Sequence, residues 1–270
     1  MATTTTDIRG LHVRRDGPRG APVLLLLHGS AASTRSWDAL VPYLTGAHHV
    51  VRLDLPGHGE SAEPEDGKHE ISAHGRRAAA VLDRLCVERA VVVWHSTGGY
   101  VATALAEQRP GLVDGLVLVN SGPRMEAFIG GEDIPIGPEE WATLTDEQIR
   151  HAMAPAFSRP GFEIPQAMVD DVRGMTYASF VGIQQAATDH LVERALPERL
   201  VAVGKPLLVV FGEDDRRWRS ASAAEYEAVP GARVVLLPGL GHSPIVEDPA
   251  RTAVPLLDFA ARVASSPDCF

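Results

Sequence analysis

The stretch VVVWHSTGGY, residues 91–100, sets a serine between two kinds of regular structure. Three valines and a tryptophan form a short apolar run of the kind that makes a buried strand, and two glycines followed by an alanine-rich segment open a helix. Ser96 is left with no loop of its own. A serine on so tight a corner is pushed into strained backbone, its hydroxyl projecting above the strand end and the next amide aimed at the helix N-terminus. Small residues on both sides normally let strand and helix approach. Gly98 and Gly99 supply the later half, but Trp94 stands where a glycine is expected, so its ring must find room beside the corner or enter the wall of a pocket.

Outward from this corner, short apolar runs at 23–27, 50–53, 90–93, 116–119, 207–211 and 234–237 alternate with helical patterns at 36–44, 72–86, 97–109, 220–228 and 249–263. That alternation predicts an α/β fold, a mostly parallel central sheet flanked by helices. It breaks once. Between Pro123 and Lys205 no strand pattern occurs, and the helical segments EEWATLTDEQIRHAMAPAF and AMVDDVRGMTYASFVGIQQAATDHLVERAL are separated by the proline-rich SRPGFEIP. Thr145 with Gln148 three positions on forms a capping box that would start a helix there. The organisation expected is a core of residues 1–122 and 206–270 with a helical cap over 123–205. Met125, Met153, Met168, Met175, Phe128, Phe157, Phe162 and Phe180 fall inside the cap, where they would either line an apolar pocket or pack a small helical layer.

A serine hydroxyl needs a base for its proton, and the base needs a carboxylate to orient it. Among eleven histidines, His242 in PGLGHSPIVEDP follows the final strand in a glycine-flanked loop. Asp215 ends the preceding strand in VVFGEDDRRW; Asp214 is the neighbouring alternative, and alternation off the strand end favours Asp215. Asn120, after the run 116–119, holds another place suited to an acid, but an amide carries no charge. A tetrahedral oxyanion also needs donors. In LLLLHGSAAS the amide of Ser30 can face that of Thr97, with Gly29 allowing close approach. Further candidates for a substrate pocket are Trp94, Trp37, Phe128, Trp141, Met153 and Phe157, although Trp37 reads first as the anchor of its own helix and only second as a substrate contact.

The segments LLLLHG, VVRLDLPGHGES, WHSTGG, VLVNSGP, VVFGEDD and GLGHSPIVEDP, in this order from about Pro22 to Val263, make the chain resemble the α/β-hydrolases, in particular the lidded esterases, lactonases and C–C hydrolases. The resemblance implies a triad of Ser96, Asp215 and His242, in the chain order of that family, and an oxyanion hole formed by the Ser30 and Thr97 amides. It further implies that DLPGHGES is a structural turn in which His58 packs. Trp94 and the DDRRW that follows the acid depart from the pattern, which bears on pocket shape. Ser96 itself excludes an aspartate nucleophile.

Composition narrows the remaining classes. Twenty-five basic and 35 acidic residues leave a net charge of −10, the wrong sign for a nucleic-acid backbone or an anionic membrane surface. No apolar run reaches the roughly 20 residues of a membrane span, and the first residues lack a signal-peptide pattern, so a cytoplasmic location is expected. Cys86 and Cys269 read as free thiols. No metal-ligand spacing, glycine-rich dinucleotide fingerprint or Walker loop occurs, so neither metal nor cofactor is expected. His95 would pack in the core, and His28 would hold the oxyanion loop by hydrogen bonds. The function expected is hydrolysis of small or medium apolar esters or lactones by a monomer or homodimer. Competing readings are C–C bond cleavage or specialised biosynthesis on the same triad, and a ligand-binding receptor whose triad is vestigial.

Overall fold

The computed structural model describes residues 3–65, 67–130 and 136–265. Its frame is one sheet of β1 (Thr4–Ile8), β2 (Leu11–Asp16), β3 (Val23–Leu27), β4 (His49–Leu53), β5 (Ala90–His95), β6 (Val113–Val119), β7 (Leu207–Gly212) and β8 (Arg233–Leu237). The spatial order is β1-β2-β4-β3-β5-β6-β7-β8, and every pairing from β4 across to β8 is parallel. The expected α/β architecture is therefore present. The hairpin β1–β2 was not expected: it pairs antiparallel with itself and with β4. Threonine, arginine and aspartate dominate it, so no apolar run marks it in the sequence. It is held instead by the buried Arg52 of β4, whose Nη2 and Nε reach Asp16 Oδ2 at 2.6 and 3.1 Å.

Helices cover both faces, in the order α1 (Val41–Leu44), α2 (Ile71–Arg84), α3 (Gly98–Gln108), α4 (Pro138–Thr143), α5 (Asp146–Met153), α6 (Gln166–Gly174), α7 (Tyr177–Glu193), α8 (Leu196–Val203), α9 (Pro244–Glu247) and α10 (Pro249–Ser265). Period-two alternation decides which core each strand residue feeds. Leu25, Leu27, Val92 and Trp94 pack with α2, α3 and α8, while Leu24, Leu26, Val91 and Val93 pack with Trp37, α1 and α10. Two expected helices are corrected. Residues 36–44 divide into a 3-10 turn, Thr34–Trp37, and the short α1, and Ser220–Ala228 is 3-10 throughout. Cys86 lies just past α2, exposed and in left-handed backbone, as a free thiol; Cys269 lies outside the described residues.

Helices α4 to α8 all lie between β6 and β7. The capping box forms at the start of α5: Thr145 Oγ1 accepts the Gln148 amide at 3.2 Å and Gln148 Oε1 accepts the Thr145 amide at 2.8 Å. The inserted helices are tied to the core by polar contacts as well as packing. Buried Asp171 of α6 accepts from Ser33 Oγ at 2.7 Å and from Arg35, and Glu63 accepts from Thr176 and Ser179 at the start of α7. Among the described residues, no helix is long and apolar enough to cross a membrane.

Candidate active site

Ser96 has φ +53°, the left-handed backbone that a strand-to-helix corner imposes and that non-glycine residues enter only under strain. The corner is braced on both sides. The Ser96 amide donates to Val119 O at 2.9 Å, and its carbonyl accepts the Ser121 hydroxyl at 2.7 Å. That same hydroxyl accepts Trp94 Nε1–H at 3.1 Å. Trp94 is fully buried, and the space for its ring comes from the far side of the corner: a Cβ on Gly99 would lie 2.2 Å from Trp94 Nε1. Gly98 is needed for a different approach, since a Cβ there would stand 2.4 Å from the His28 carbonyl oxygen. The tryptophan thus supports the serine through Ser121 and belongs to the core.

The three residues set out in the sequence reading are brought together. His242 Nε2 lies 2.9 Å from Ser96 Oγ, and His242 Nδ1 lies 2.9 Å from Asp215 Oδ2. A carboxylate accepts only, so the ring proton sits on Nδ1 and Nε2 is left to accept the serine proton. Of the two neighbouring aspartates, Asp214 is exposed and Asp215 is buried. Burial pushes the Asp215 carboxyl up. His242, the Asn120 amide and the Arg217 backbone outweigh it and leave the carboxyl below its ordinary range. Its Oδ1 takes the Arg217 and Trp218 amides at 2.7 and 3.2 Å, and its Oδ2 takes Asn120 Nδ2 at 2.7 Å. The turn that places the acid also supplies its donors.

Three supporting residues escaped the sequence reading. Asn120 was set aside as uncharged; it also adopts left-handed backbone, at φ +49°, and serves as a donor to Asp215 and to Gly241 O. His95 was expected to pack in the core. It is buried, but its Nε2 donates to the His242 carbonyl at 2.7 Å, and burial with the nearby His242 lowers it to about 3, so it stays neutral. Glu247 of α9, almost wholly buried, accepts the Gly241 amide at 2.9 Å with Oε1 and the Ser158 and Arg159 amides at 2.8 and 2.7 Å with Oε2. Arg159 also reaches its carbonyl. Apart from Gly241 and Glu247, six residues apart, the partners in these contacts are remote in the chain, so they leave no local sequence signature.

On the side of Ser30, Leu55 N–H donates to His28 Nε2 at 3.0 Å, which leaves the proton on Nδ1 to meet Gly29 O at 2.7 Å. The loop that ends in Ser30 is held from both flanks. The Ser30 amide itself donates to Thr97 Oγ1 at 2.7 Å. His58 is buried beneath this loop, its ring 4.9 Å from His28, with burial holding it neutral.

The pocket candidates divide. Trp37 is fully buried among Leu24, Leu26 and Leu40 on the far core, where it anchors its turn and not a ligand. Trp141 and Met153 pack in a small cluster with Ile149 and Val172 inside the inserted helices. Trp141 also stacks on Phe180 and lines a cavity of about 290 Å³ whose walls include neither Ser96 nor His242. Phe157 is buried and stacks on Phe162; Phe128 is 39% exposed and meets Trp218, three residues beyond Asp215, edge to face.

A mostly parallel sheet with a strained serine after β5, a carboxylate after β7 and a histidine after β8 is the arrangement of a hydrolase of the α/β class. The chain belongs to the alpha/beta hydrolase family, whose model matches residues 24–254. A pimeloyl acyl-carrier-protein methyl ester esterase of Nitrosomonas europaea is 30% identical over 251 residues, 88% of this chain and 95% of that protein. A bifunctional esterase/perhydrolase of Acinetobacter calcoaceticus is 29% identical over 88% of this chain and 91% of its own. Among solved structures, the enol-lactonase of Burkholderia xenovorans superposes with a TM-score of 0.73 at 25% identity, covering 96% of this chain and all of that one.

Proposed function

We propose that the protein hydrolyses small to medium apolar carboxylic esters or lactones through an acyl-enzyme, without a cofactor. The observation that carries this reading is the unbroken chain from Ser96 Oγ to His242 to Asp215, with both contacts at 2.9 Å. As Ser96 Oγ attacks the carbonyl carbon, its proton passes to His242 Nε2, and the imidazolium is stabilised by Asp215, which remains ionised. The proton then moves from Nε2 to the leaving oxygen. Water enters, gives its proton to the same nitrogen as its oxygen attacks the acyl carbon, and the acid departs as that proton returns to Ser96 Oγ. Named relatives that act as ester hydrolases, and a structural neighbour that is a lactonase, support this substrate class for the chain. The helices inserted between β6 and β7 would act as the cap over the acyl group.

The test is hydrolysis of p-nitrophenyl esters and of simple lactones by wild type and Ser96→Ala. Loss of such a nucleophile typically lowers turnover by about 10⁶. Retention of activity within about tenfold would end this reading, as would failure of a p-nitrophenyl phosphonate to attach to Ser96. Inactivity on esters with cleavage of a vinylogous diketone would move the triad to C–C bond hydrolysis.

A further inference from the structure

Ser30 has one amide hydrogen, and it is committed to Thr97 Oγ1 at 2.7 Å. An oxyanion-hole donor works from about 2.7–3.1 Å of the point the oxyanion will occupy. The hydroxyl oxygen of Thr97 therefore stands where the Ser30 amide would need the substrate oxygen. Its remaining bonds keep it there. Ser30 Oγ is 2.8 Å from Thr97 Oγ1 and 2.9 Å from Gln184 Oε1. An amide oxygen only accepts, so Ser30 O–H donates to Gln184 and Thr97 O–H donates back to Ser30 Oγ. The result is a closed relay: Ser30 N–H to Thr97, Thr97 O–H to Ser30, Ser30 O–H to Gln184. Two members come from the oxyanion loop and the serine corner, and the third comes from α7 of the inserted helices.

We infer that the Thr97 hydroxyl is an internal plug in the oxyanion hole, latched through Ser30 to Gln184, and that these three side chains discriminate between acyl groups. The inference rests on the serine-hydrolase reading given above. For the Ser30 amide to serve a substrate oxygen, the hydroxyl must turn away and exchange its hydrogen bonds. A short acyl group leaves Gln184 in place and meets the whole of that penalty. A longer one, if it reaches α7, would displace Gln184 and find the latch already released. The side chains of Thr97 and Gln184 therefore lower reactivity toward short acyl groups relative to long ones, while the Thr97 backbone amide keeps its place.

The test uses labelling of Ser96 by ethyl p-nitrophenyl methylphosphonate and by its hexylphosphonate homologue, followed as p-nitrophenolate release. Removing one neutral hydrogen-bonding hydroxyl should speed Thr97→Val labelling by the short reagent by about threefold to tenfold, with a smaller gain for the long one. Gln184→Leu should share the acceleration. Equal or slower labelling of Thr97→Val would overturn the plug, and an unchanged Gln184→Leu would remove α7 from it. Should Thr97→Val not fold, a crystal structure of the wild-type adduct decides. The phosphoryl oxygen is expected at the Ser30 amide with Thr97 Oγ1 turned away; Thr97 Oγ1 still bonded to that amide would overturn the proposal. Absence of any wild-type labelling would count against the hydrolase reading instead, so the two failures are distinct.

Discussion

Asn120 Nδ2 lies 2.7 Å from Asp215 Oδ2, the oxygen that also receives His242 Nδ1 at 2.9 Å. One carboxylate oxygen thus carries both the orientation of the imidazole and a fixed neutral donor. Because that donor favours the ionised acid, Asn120→Gly, which retains the left-handed backbone, should let the Asp215 pKa rise. The titration of that carboxyl, followed by NMR of carbon-labelled aspartate, then moves to higher pH. Loss of a hydrogen bond to a charged group should also lower stability by about 1.5–3 kcal/mol. A carboxyl titration that does not move would show that Asn120 only fills space.

The corner makes its own prediction. Since a Cβ at Gly99 would fall 2.2 Å from Trp94 Nε1, Gly99→Ala forces the indole off Ser121 and should destabilise the protein by about 1–3 kcal/mol. Trp94→Ala alone leaves a cavity and should lose about 3–5 kcal/mol. Combined, the two losses should fall short of their sum, because the added methyl occupies space that the ring has vacated. Urea unfolding of the four proteins measures the coupling. Strict additivity would mean that Gly99 and Trp94 do not compete for one space.

Stability should fall as the solution is acidified, through buried histidines. Burial drops His95 to about 3 and His190 to about 4, and lowers His28 and His58 below the ordinary 6.5. A histidine whose folded pKa lies below its unfolded value binds fewer protons when folded. Its contribution is complete above about 6.5 and is lost as pH falls toward the folded value. For His95 alone the loss between pH 6.5 and 5 is roughly 2 kcal/mol, at 1.36 kcal/mol per pKa unit. Urea midpoints recorded across this range should decline less steeply in His95→Gln than in wild type. Parallel declines would place the proton uptake elsewhere.

The sheet from β3 to β8 was readable because each of its strands is a short, nearly continuous apolar run bounded by glycine or polar residues, as in Val23–Leu27 before His28 and Gly29. The hairpin β1–β2 was not, because its order comes from pairing and from Arg52 meeting Asp16 rather than from apolar residues. Ser96, Asp215 and His242 could be read as candidates since each ends or follows a strand in a distinctive loop. The roles of His95 and Glu247 could not. Strand alternation sends His95 away from the serine side, but the His242 loop crosses the strand end and offers its carbonyl there. Glu247 acquires two of its three amide partners only when residues 158–159 fold back from the inserted helices. Trp94 looked like an obstacle from its own position, and its accommodation depends on Gly99, five residues later.

The Glu247 carboxylate, itself buried, gathers the amides of Gly241, Ser158 and Arg159. Gly241 is the immediate neighbour of the histidine, and the other two residues belong to the segment inserted between β6 and β7. One carboxylate therefore couples that segment to the loop that aims the imidazole, so a change in the backbone at Ser158 would be felt at residue 241 without crossing the sheet.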